Sequence, residues 1–553
     1  MEKDLSTLKP DAAADHHAIT PTTRSSLSDP AEIDKTTLVS RFNRSISYSK
    51  ARGDGKIELK ETDCYEVTGY SYATWKKWWI LSVVFAVQVS MNLNASLYSN
   101  AVSGIEERFS VSNAAARVGQ MIFLVAYAFG CELWAPWSEE YGRWPIMQLS
   151  LLFVNIWAIP CAVAQNYGTI IVSRFFGGIC SAGGGVTLGV VADLFEPENQ
   201  QWAVAFVVLS SVGGSAVGPI IGGFIEHNLD WRWNFWIQLI IGGSVQIAHF
   251  FTPETRSSVL VTREAKRRRK EGETLLYSSK ELEGSVLSVK FVLTTWARPF
   301  VMFVTEPIVL CLSLLSGFSD ALIFIFLEGF GPVFAQWGFN DITTGLAFVP
   351  IMIGYFLAYF MFLVVIWRDI RVKRAHPEKF TPESRLWFLL FTAPLEPIGL
   401  FGFAWTSQGP PTTHWIAPMI FSSLIGIANY AIYMATIDYM VAAYGPYASS
   451  ATGGNGFARD FLAGIAAMYA TPMYTNIPGK PLEYASTILA CIGVLVCIPV
   501  YVFYFNGPYF RERSKFALSL AAEREEHKHI VEEVQRKATR GDVEQIEDIR
   551  EKA

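Results

Sequence analysis

Two carboxylates, Asp320 and Glu328, stand eight residues apart in a stretch that is otherwise apolar. At about 100° per helical residue they lie some 80° apart around the axis. That puts them on one broad face with Ser313, Gly317 and Phe324. A carboxylate held out of water can exchange a proton near neutrality or bind a cationic solute. Arg174 is a third charge in apolar surroundings. An Arg at the centre of a membrane helix costs about 2.5–3.5 kcal/mol on insertion scales, so it is expected to face a bundle interior or a wet cavity. The two acids point to proton coupling or substrate contact; the alternative is that they serve as structural partners of Arg174 or of another basic group. Glu132 and Asp438 sit within about two turns of a span end, where snorkelling is cheap, and rank lower.

The elements that must position these charges are twelve apolar spans. They cover residues 78–101, 116–137, 145–164, 168–193, 201–225, 233–252, 303–332, 342–366, 386–406, 414–442, 448–470 and 483–505. Each reaches the roughly 20 residues that cross a bilayer as a helix. The fold class is therefore all-α integral membrane, with twelve transmembrane helices in two pseudo-symmetric six-helix bundles. The bundles are 78–252 and 303–506. Residues 1–77 are expected to form a disordered cytoplasmic tail, 253–302 a cytoplasmic central loop and 507–553 a charged cytoplasmic tail. Only 17% of residues are charged against 51% hydrophobic, whereas soluble proteins carry about a quarter. With the amino terminus inside, inner loops hold seventeen Lys and Arg and outer loops three, as the positive-inside bias requires.

The same composition excludes several classes. A net charge of −5 argues against nucleic acid. Six of the seven cysteines lie inside spans without paired spacing, so neither a disulfide framework nor a metal site is indicated. The polar amino terminus lacks a signal-peptide core. There is no phosphate-binding Gly-rich Lys motif, no metal cluster and no nucleophile motif, so neither an enzyme nor a cofactor is expected. The run 267–270 is read as a topology anchor, with anionic lipid as the other reading.

Three local patterns refine this. After the second span, Glu139, Gly142 and Arg143 form a tight basic loop, and Asp193 closes the fourth span. Within the fifth span Gly214, Gly218 and Gly222 recur every fourth residue beside Pro219, which makes a flat ridge with a bend. The first span carries a polar stripe of Gln88, Asn92, Ser96 and Ser99, and the tenth carries Asn429, Tyr433 and Thr436.

On these residues the chain resembles the major facilitator superfamily. Gly142 and Arg143 match its loop signature, Glu139 stands at the acidic position and Trp144 departs from it. The resemblance implies that Arg143 latches onto Asp193 and that Arg174 takes part in proton transfer. The run from Gly214 to Gly223 is similar to the antiporter motif of drug:proton exporters. Pro253-Glu254-Thr255-Arg256, Glu306-Pro307-Ile308 and Leu327-Glu328-Gly329-Phe330 resemble the fungal drug:proton antiporters of twelve spans. An aromatic residue is usual where Asp320 stands.

The resemblance implies that spans 1, 4, 7 and 10 line the cavity, which makes Gln88, Asn92, Asn429 and Tyr433 its expected substrate contacts. The expected function is proton-coupled export of small organic molecules such as drugs, toxins, secondary metabolites or polyamines, by alternating access. A monomer in the plasma membrane is expected, with the vacuolar membrane as the other location. A nutrient-uptake symporter and a non-transporting sensor are the alternatives.

Overall fold

The computed structural model describes residues 56–181, 183–196, 199–283, 289–376, 381–514 and 516–517. Its helices follow the order of the spans. The first six are α1 Thr74–Ser96, α2 Asn113–Tyr141, α3 Arg143–Ala162, α4 in two pieces (Tyr167–Cys180 and Gly183–Leu194), α5 Gln200–Asn228 and α6 Trp233–Phe250. The second six are α7 Pro307–Ala335, α8 Val349–Ala375, α9 Leu395–Thr406, α10 Ile416–Tyr444, α11 Ala448–Asn476 and α12 Pro481–Arg511.

Among the described residues, nine helical runs are long and apolar enough to cross a membrane by length and composition alone. The other three spans are α4, α6 and α11, each with a physical reason for a weaker signal. A break interrupts α4, α6 is short and holds Asn234, Gln238 and His249, and α11 is rich in small and polar residues and carries Arg459 and Asp460. Below, the end of the bundles that bears residues 253–302 is the loop face, and the opposite end is the distal face.

Local chemistry sets the helix ends. Ser112 caps α2 by accepting from the Ala115 amide at 3.2 Å, and Asn166 caps α4 through Thr169 at 2.9 Å. Gly142 separates α2 from α3 at φ +112°, a conformation costly for any residue with a Cβ. Ser181 leaves helical geometry at ψ 109° and breaks α4. The carbonyls around that break are not wasted: Ile179 accepts from the Trp134 indole at 2.8 Å and Cys180 from the Ser150 hydroxyl at 2.6 Å. Backbone at membrane depth is tolerated when partners of this kind satisfy it.

Small residues bring helices together. A Cβ on Gly214 would sit 2.7 Å from the Asn92 Cβ, and Cβ atoms on Gly218 and Gly222 would overlap Ser96 and Asn100. The glycine ridge of α5 and the polar stripe of α1 are thus two sides of one interface. In the second bundle Phe326, Phe330, Phe348 and Phe403 stack within 4.6–5.7 Å and form an aromatic core.

The expectation for residues 1–77 needs correction. Residues 1–55 lie outside the described residues, but 56–72 are folded. Ile57–Leu59 pairs in parallel with Leu276–Ser278, and Leu59, Cys64, Val261, Ala265 and Leu276 form a small buried cluster. A three-residue strand and a handful of apolar side chains carry no period that a sequence reading can detect. The central loop is also structured: a helix at Ser257–Glu271 supplies Val261 and Ala265 to that cluster. Three of the four basic residues of its run are paired locally, Arg267 with Glu264 and Glu271, Arg268 with Glu264, and Arg269 with Glu281. At the other end, α12 continues past 506 to Arg511, which pairs with Glu383 at 2.7 Å. Residues 518–553 lie outside the described residues.

Candidate functional site

The sequence-predicted charges fall in three places. Near the middle of α7, Asp320 accepts from Arg459 of α11 at 2.8 Å, and the pair is nearly fully buried. The Arg459 guanidinium lies 3.4 Å from the ring centroid of Tyr433 on α10, a cation–π contact that shares the charge with an aromatic face. Asp460, the next residue along α11, is partly exposed and lies within electrostatic reach of Asp320 and of Glu132 on α2. Tyr127 of α2 and Tyr433 face Asp460, and Gln88 of α1 lies within hydrogen-bonding reach of Tyr127. Helices from both bundles therefore converge on one charged, aromatic cluster near mid-depth.

Glu328 lies elsewhere. It forms an ion pair with Arg117 at the distal end of α2, and the contact joins the two bundles with both side chains below 10% exposure. Other contacts between the bundles on this face bring Gly223 of α5 against Asp341 and the carbonyl of Pro219 against Gly345. The loop face is joined as well. Gln201 of α5 donates to Asp438 of α10 at 2.8 Å, and Asp438 is ion-paired with Arg385. Trp202 meets Trp367 edge-on at 5.7 Å, and Tyr430 donates to the Ala205 carbonyl at 2.9 Å. The bundles touch at both ends of the cluster.

Arg174 is not part of that cluster. It donates to Asn94 Oδ1 at 2.8 Å and to the backbone carbonyls of Asn94 and Gly119, and it lies 4.0 Å over Phe123 and 4.7 Å over Tyr98. It is buried within the first bundle, where Cys161 of α3 and Phe235 of α6 also line its surroundings. Neither Asp320 nor Glu328 is its partner, because Arg459 and Arg117 take those places.

Two expected cavity contacts are also corrected. Asn92 packs on the Gly214 ridge and bonds back to the Gln88 carbonyl at 3.0 Å. Asn429 donates at 3.1 Å to Ser319, which hydrogen-bonds the buried Glu396 of α9. Asn92 thus packs against α5 while bonding within α1, and Asn429 is an interhelical tie, the commoner fate of a lone polar residue in a membrane bundle. Gln88 and Tyr433 do reach the central cluster.

At the loop face, Arg143 pairs with Asp193 at 3.0 Å and also donates to Ser138. Arg256 approaches the other Asp193 oxygen at 3.3 Å. Glu139 is exposed and stands outside this network. The acid beside Gly142 is Glu254, whose carboxylate accepts from the amides of Arg143, Thr255 and Arg256 at 2.9 Å each. That spacing is invisible in sequence, since Glu254 follows α6, 111 residues from Arg143. A Cβ on Gly142 would overlap this carboxylate.

The folded amino-terminal segment lies across the same network. Tyr70 donates to the Ala192 carbonyl at 2.9 Å, Tyr65 to Glu196 at 3.0 Å and Tyr72 to the Glu254 carbonyl at 3.1 Å. Burial raises the Tyr70 and Tyr72 phenols above their ordinary range, and the nearby Asp193 and Glu254 add to the effect. Both phenols therefore stay neutral donors.

Sequence reading passes over Arg117, Arg459, Asp460 and Glu396. The criterion that selected Arg174, a charge inside an apolar span, would have found Arg459, Asp460 and Glu396, whereas Arg117 stands at the edge of its span. Among the described residues, no group of His, Cys, Asp and Glu is arranged to hold a metal ion.

Comparison with known proteins agrees with this architecture. The family model described as Major Facilitator Superfamily matches residues 84–468. The transporter paaT of Penicillium rubens is 33% identical over 447 residues, covering 80% of this chain and 80% of that protein. The major facilitator superfamily multidrug transporter FLU1 of Candida albicans is 30% identical, covering 82% of this chain and 74% of that protein. Among solved structures, the proton:xylose symporter XylE bound to 6-bromo-6-deoxy-D-glucose superposes with a TM-score of 0.54 at 16% identity, over 78% of this chain and 97% of that one. That last likeness concerns the fold alone.

Proposed function

The chain belongs to the Major Facilitator Superfamily, and from that premise we propose that it is a proton-coupled exporter of small organic molecules. It is a multi-pass membrane transporter; direction, coupling ion and cargo class are the proposed part. The observation that carries the reading is the cluster of Asp320, Arg459, Asp460 and Tyr433 in the second bundle, bordered by Tyr127 and Glu132 of the first, with the bundles touching on both sides of it. Inverted-repeat transporters place substrate and coupling-ion sites at such an interface. The multidrug naming of the Candida albicans relative supports an exporter of organic compounds. Gly214, Gly218, Pro219 and Gly222, which hold α1 and α5 in close contact, support the antiporter branch.

In the proposed cycle, the Arg117–Glu328 pair and its neighbours part to open the distal face. The Gln201–Asp438 contact parts to open the loop face, and the two openings alternate. A proton entering from outside replaces cargo at the central cluster. Each charge moved across 100 mV is worth about 2.3 kcal/mol, which corresponds to roughly 50-fold accumulation of cargo. Both termini are placed in the cytoplasm, Arg143–Asp193 acts as the latch, and the protein works as a monomer in the plasma membrane.

The test is a growth-inhibition panel comparing cells that lack and cells that overproduce the protein. Flux of each active compound is then measured in membrane vesicles under an imposed pH gradient. Accumulation that follows the gradient and collapses with it supports the reading. Uphill movement that persists after both gradient and voltage are abolished overturns it.

A further inference from the structure

The central cluster contains more acid than base. Asp320 of α7 and Glu132 of α2 lie within electrostatic reach of Asp460 on α11, and Arg459 is the cation that acts there. Arg459 is already engaged: it holds Asp320 at 2.8 Å and stacks on Tyr433. Glu328 is likewise engaged by Arg117. Among the described residues, neither Asp460 nor Glu132 has a hydrogen-bond or ion-pair partner.

The two differ in setting. Glu132 is only 7% exposed and lies against α11, where a Cβ on Gly453 would overlap its carboxylate. Asp460 is partly exposed and interacts with acids of both bundles, Asp320 of the second and Glu132 of the first. The titratable groups that surround it are Arg459 on its own helix, Asp320 on α7, Glu132 and Tyr127 on α2 and Tyr433 on α10. An uncompensated carboxylate away from bulk water is costly, and it persists only if a positive charge arrives from solution. Asp460 combines this need with partial exposure at a position in electrostatic reach of both bundles.

We propose that Asp460, with Glu132 facing it across the bundle interface, holds the exchangeable proton of the transport cycle. Asp320 and Glu328 are then ion-pair members that position α7. This rests on the reading of the chain as a proton-coupled transporter. The chemistry is a simple exchange: an O–H bond forms on the Asp460 carboxylate when a proton enters from one face, and it breaks when that proton leaves by the other. Arg459, one residue away, stays bound to Asp320 throughout and marks the boundary between fixed and exchangeable charge.

The test uses the full-length chain reconstituted in lipid, with infrared difference spectra recorded as the buffer is stepped over about pH 5 to 8. The wild-type protein is expected to show a titrating carboxylic C=O band. Asp460→Asn is expected to lose it, and Asp320→Asn to keep it. Asp460→Glu is expected to keep a band at a shifted frequency, which guards against a variant that fails to fold. Glu132→Gln is expected to move the midpoint. An unchanged band in Asp460→Asn, or an unshifted one in Asp460→Glu, overturns the assignment while leaving proton coupling standing, because another carboxyl then carries the proton. An unmoved midpoint in Glu132→Gln removes Glu132 from it. A wild-type protein with no titrating carboxyl overturns both readings.

Discussion

Arg459 on α11 donates to Asp320 on α7 at 2.8 Å, and the same guanidinium covers the ring of Tyr433 on α10. One cation therefore ties three helices of the second bundle together at the depth where cargo is proposed to bind. Removing one partner of a buried pair leaves the other charge uncompensated, at a cost of about 3–5 kcal/mol, whereas removing both costs much less. Asp320→Ala and Arg459→Ala are each expected to lower thermal stability in detergent strongly, and the double variant to recover much of the loss. Strictly additive losses would contradict the pairing.

The distal ion pair gives a different expectation, because Arg117 and Glu328 belong to different bundles. Reversing one charge places like charges together and should abolish transport. The double reversal, Arg117→Glu with Glu328→Arg, should restore a measurable fraction. Flux assays of the two single variants and the double one check this; no recovery in the double would argue against a direct pair.

The α1–α5 contact predicts sharply position-dependent tolerance. Gly218→Ala drives a methyl group into Ser96 and the Leu97 backbone, and overpacking of this kind costs about 1–3 kcal/mol. Gly213, one residue from the ridge, has nothing within 4 Å of an added Cβ. Gly213→Ala should match the parent in melting temperature and flux, and Gly218→Ala should fall below it in both.

At the loop face, hydrogen bonds from Arg267 and, to a lesser degree, Arg268 hold the Glu264 carboxyl down at about 2. The folded value lies below the ordinary carboxylate range of about 4.3. The stabilisation is therefore fully present above that range and is lost as the pH falls toward 2. Hydrogen exchange of residues 57–67, corrected for intrinsic rate, should stay slow from neutrality to about pH 5 and quicken below. In Glu264→Gln it should be faster at neutrality and lack the acid-dependent step.

Cys64 reports on the same module. Burial pushes its thiol up to about 11, so little thiolate exists at neutral pH. Alkylation of Cys64 should be slow in the intact protein. It should quicken several-fold when Leu59→Asp opens the cluster of Leu59, Val261 and Leu276. Equal rates in the two proteins would mean that the cluster does not protect the thiol.

The succession of helices is legible in the sequence because hydrophobic length has little competition as a signal. The glycine ridge of α5 is legible for the same reason, since a four-residue repeat of glycine has few other causes. Partner identity is much less so. Arg174 and Asp320 are both recognisable as charges in apolar spans, yet nothing in their spacing says that Arg174 is held by Asn94 while Asp320 is held by Arg459. The stripe on α1 misleads for a related reason: Asn92 and Ser96 have the period expected of a cavity wall, but the same period serves a tight contact with Gly214 and Gly218. Glu254 replaces Glu139 beside Gly142 because folding brings the end of α6 to the start of α3, a proximity no local window contains.

The parallel pairing of Ile57–Leu59 with Leu276–Ser278, with the bonds from Tyr65, Tyr70 and Tyr72, stitches the start of the chain and the first part of the central segment to the first bundle. The stretch 253–302 is accordingly not one long slack connection: the central segment is structured through the helix at Ser279–Glu283 and is helical again at Val289–Thr305. A fluorophore fused ahead of Ile57 would ride with the first bundle as a rigid passenger, and trimming beyond Leu59 would cut the mooring as well as the tail.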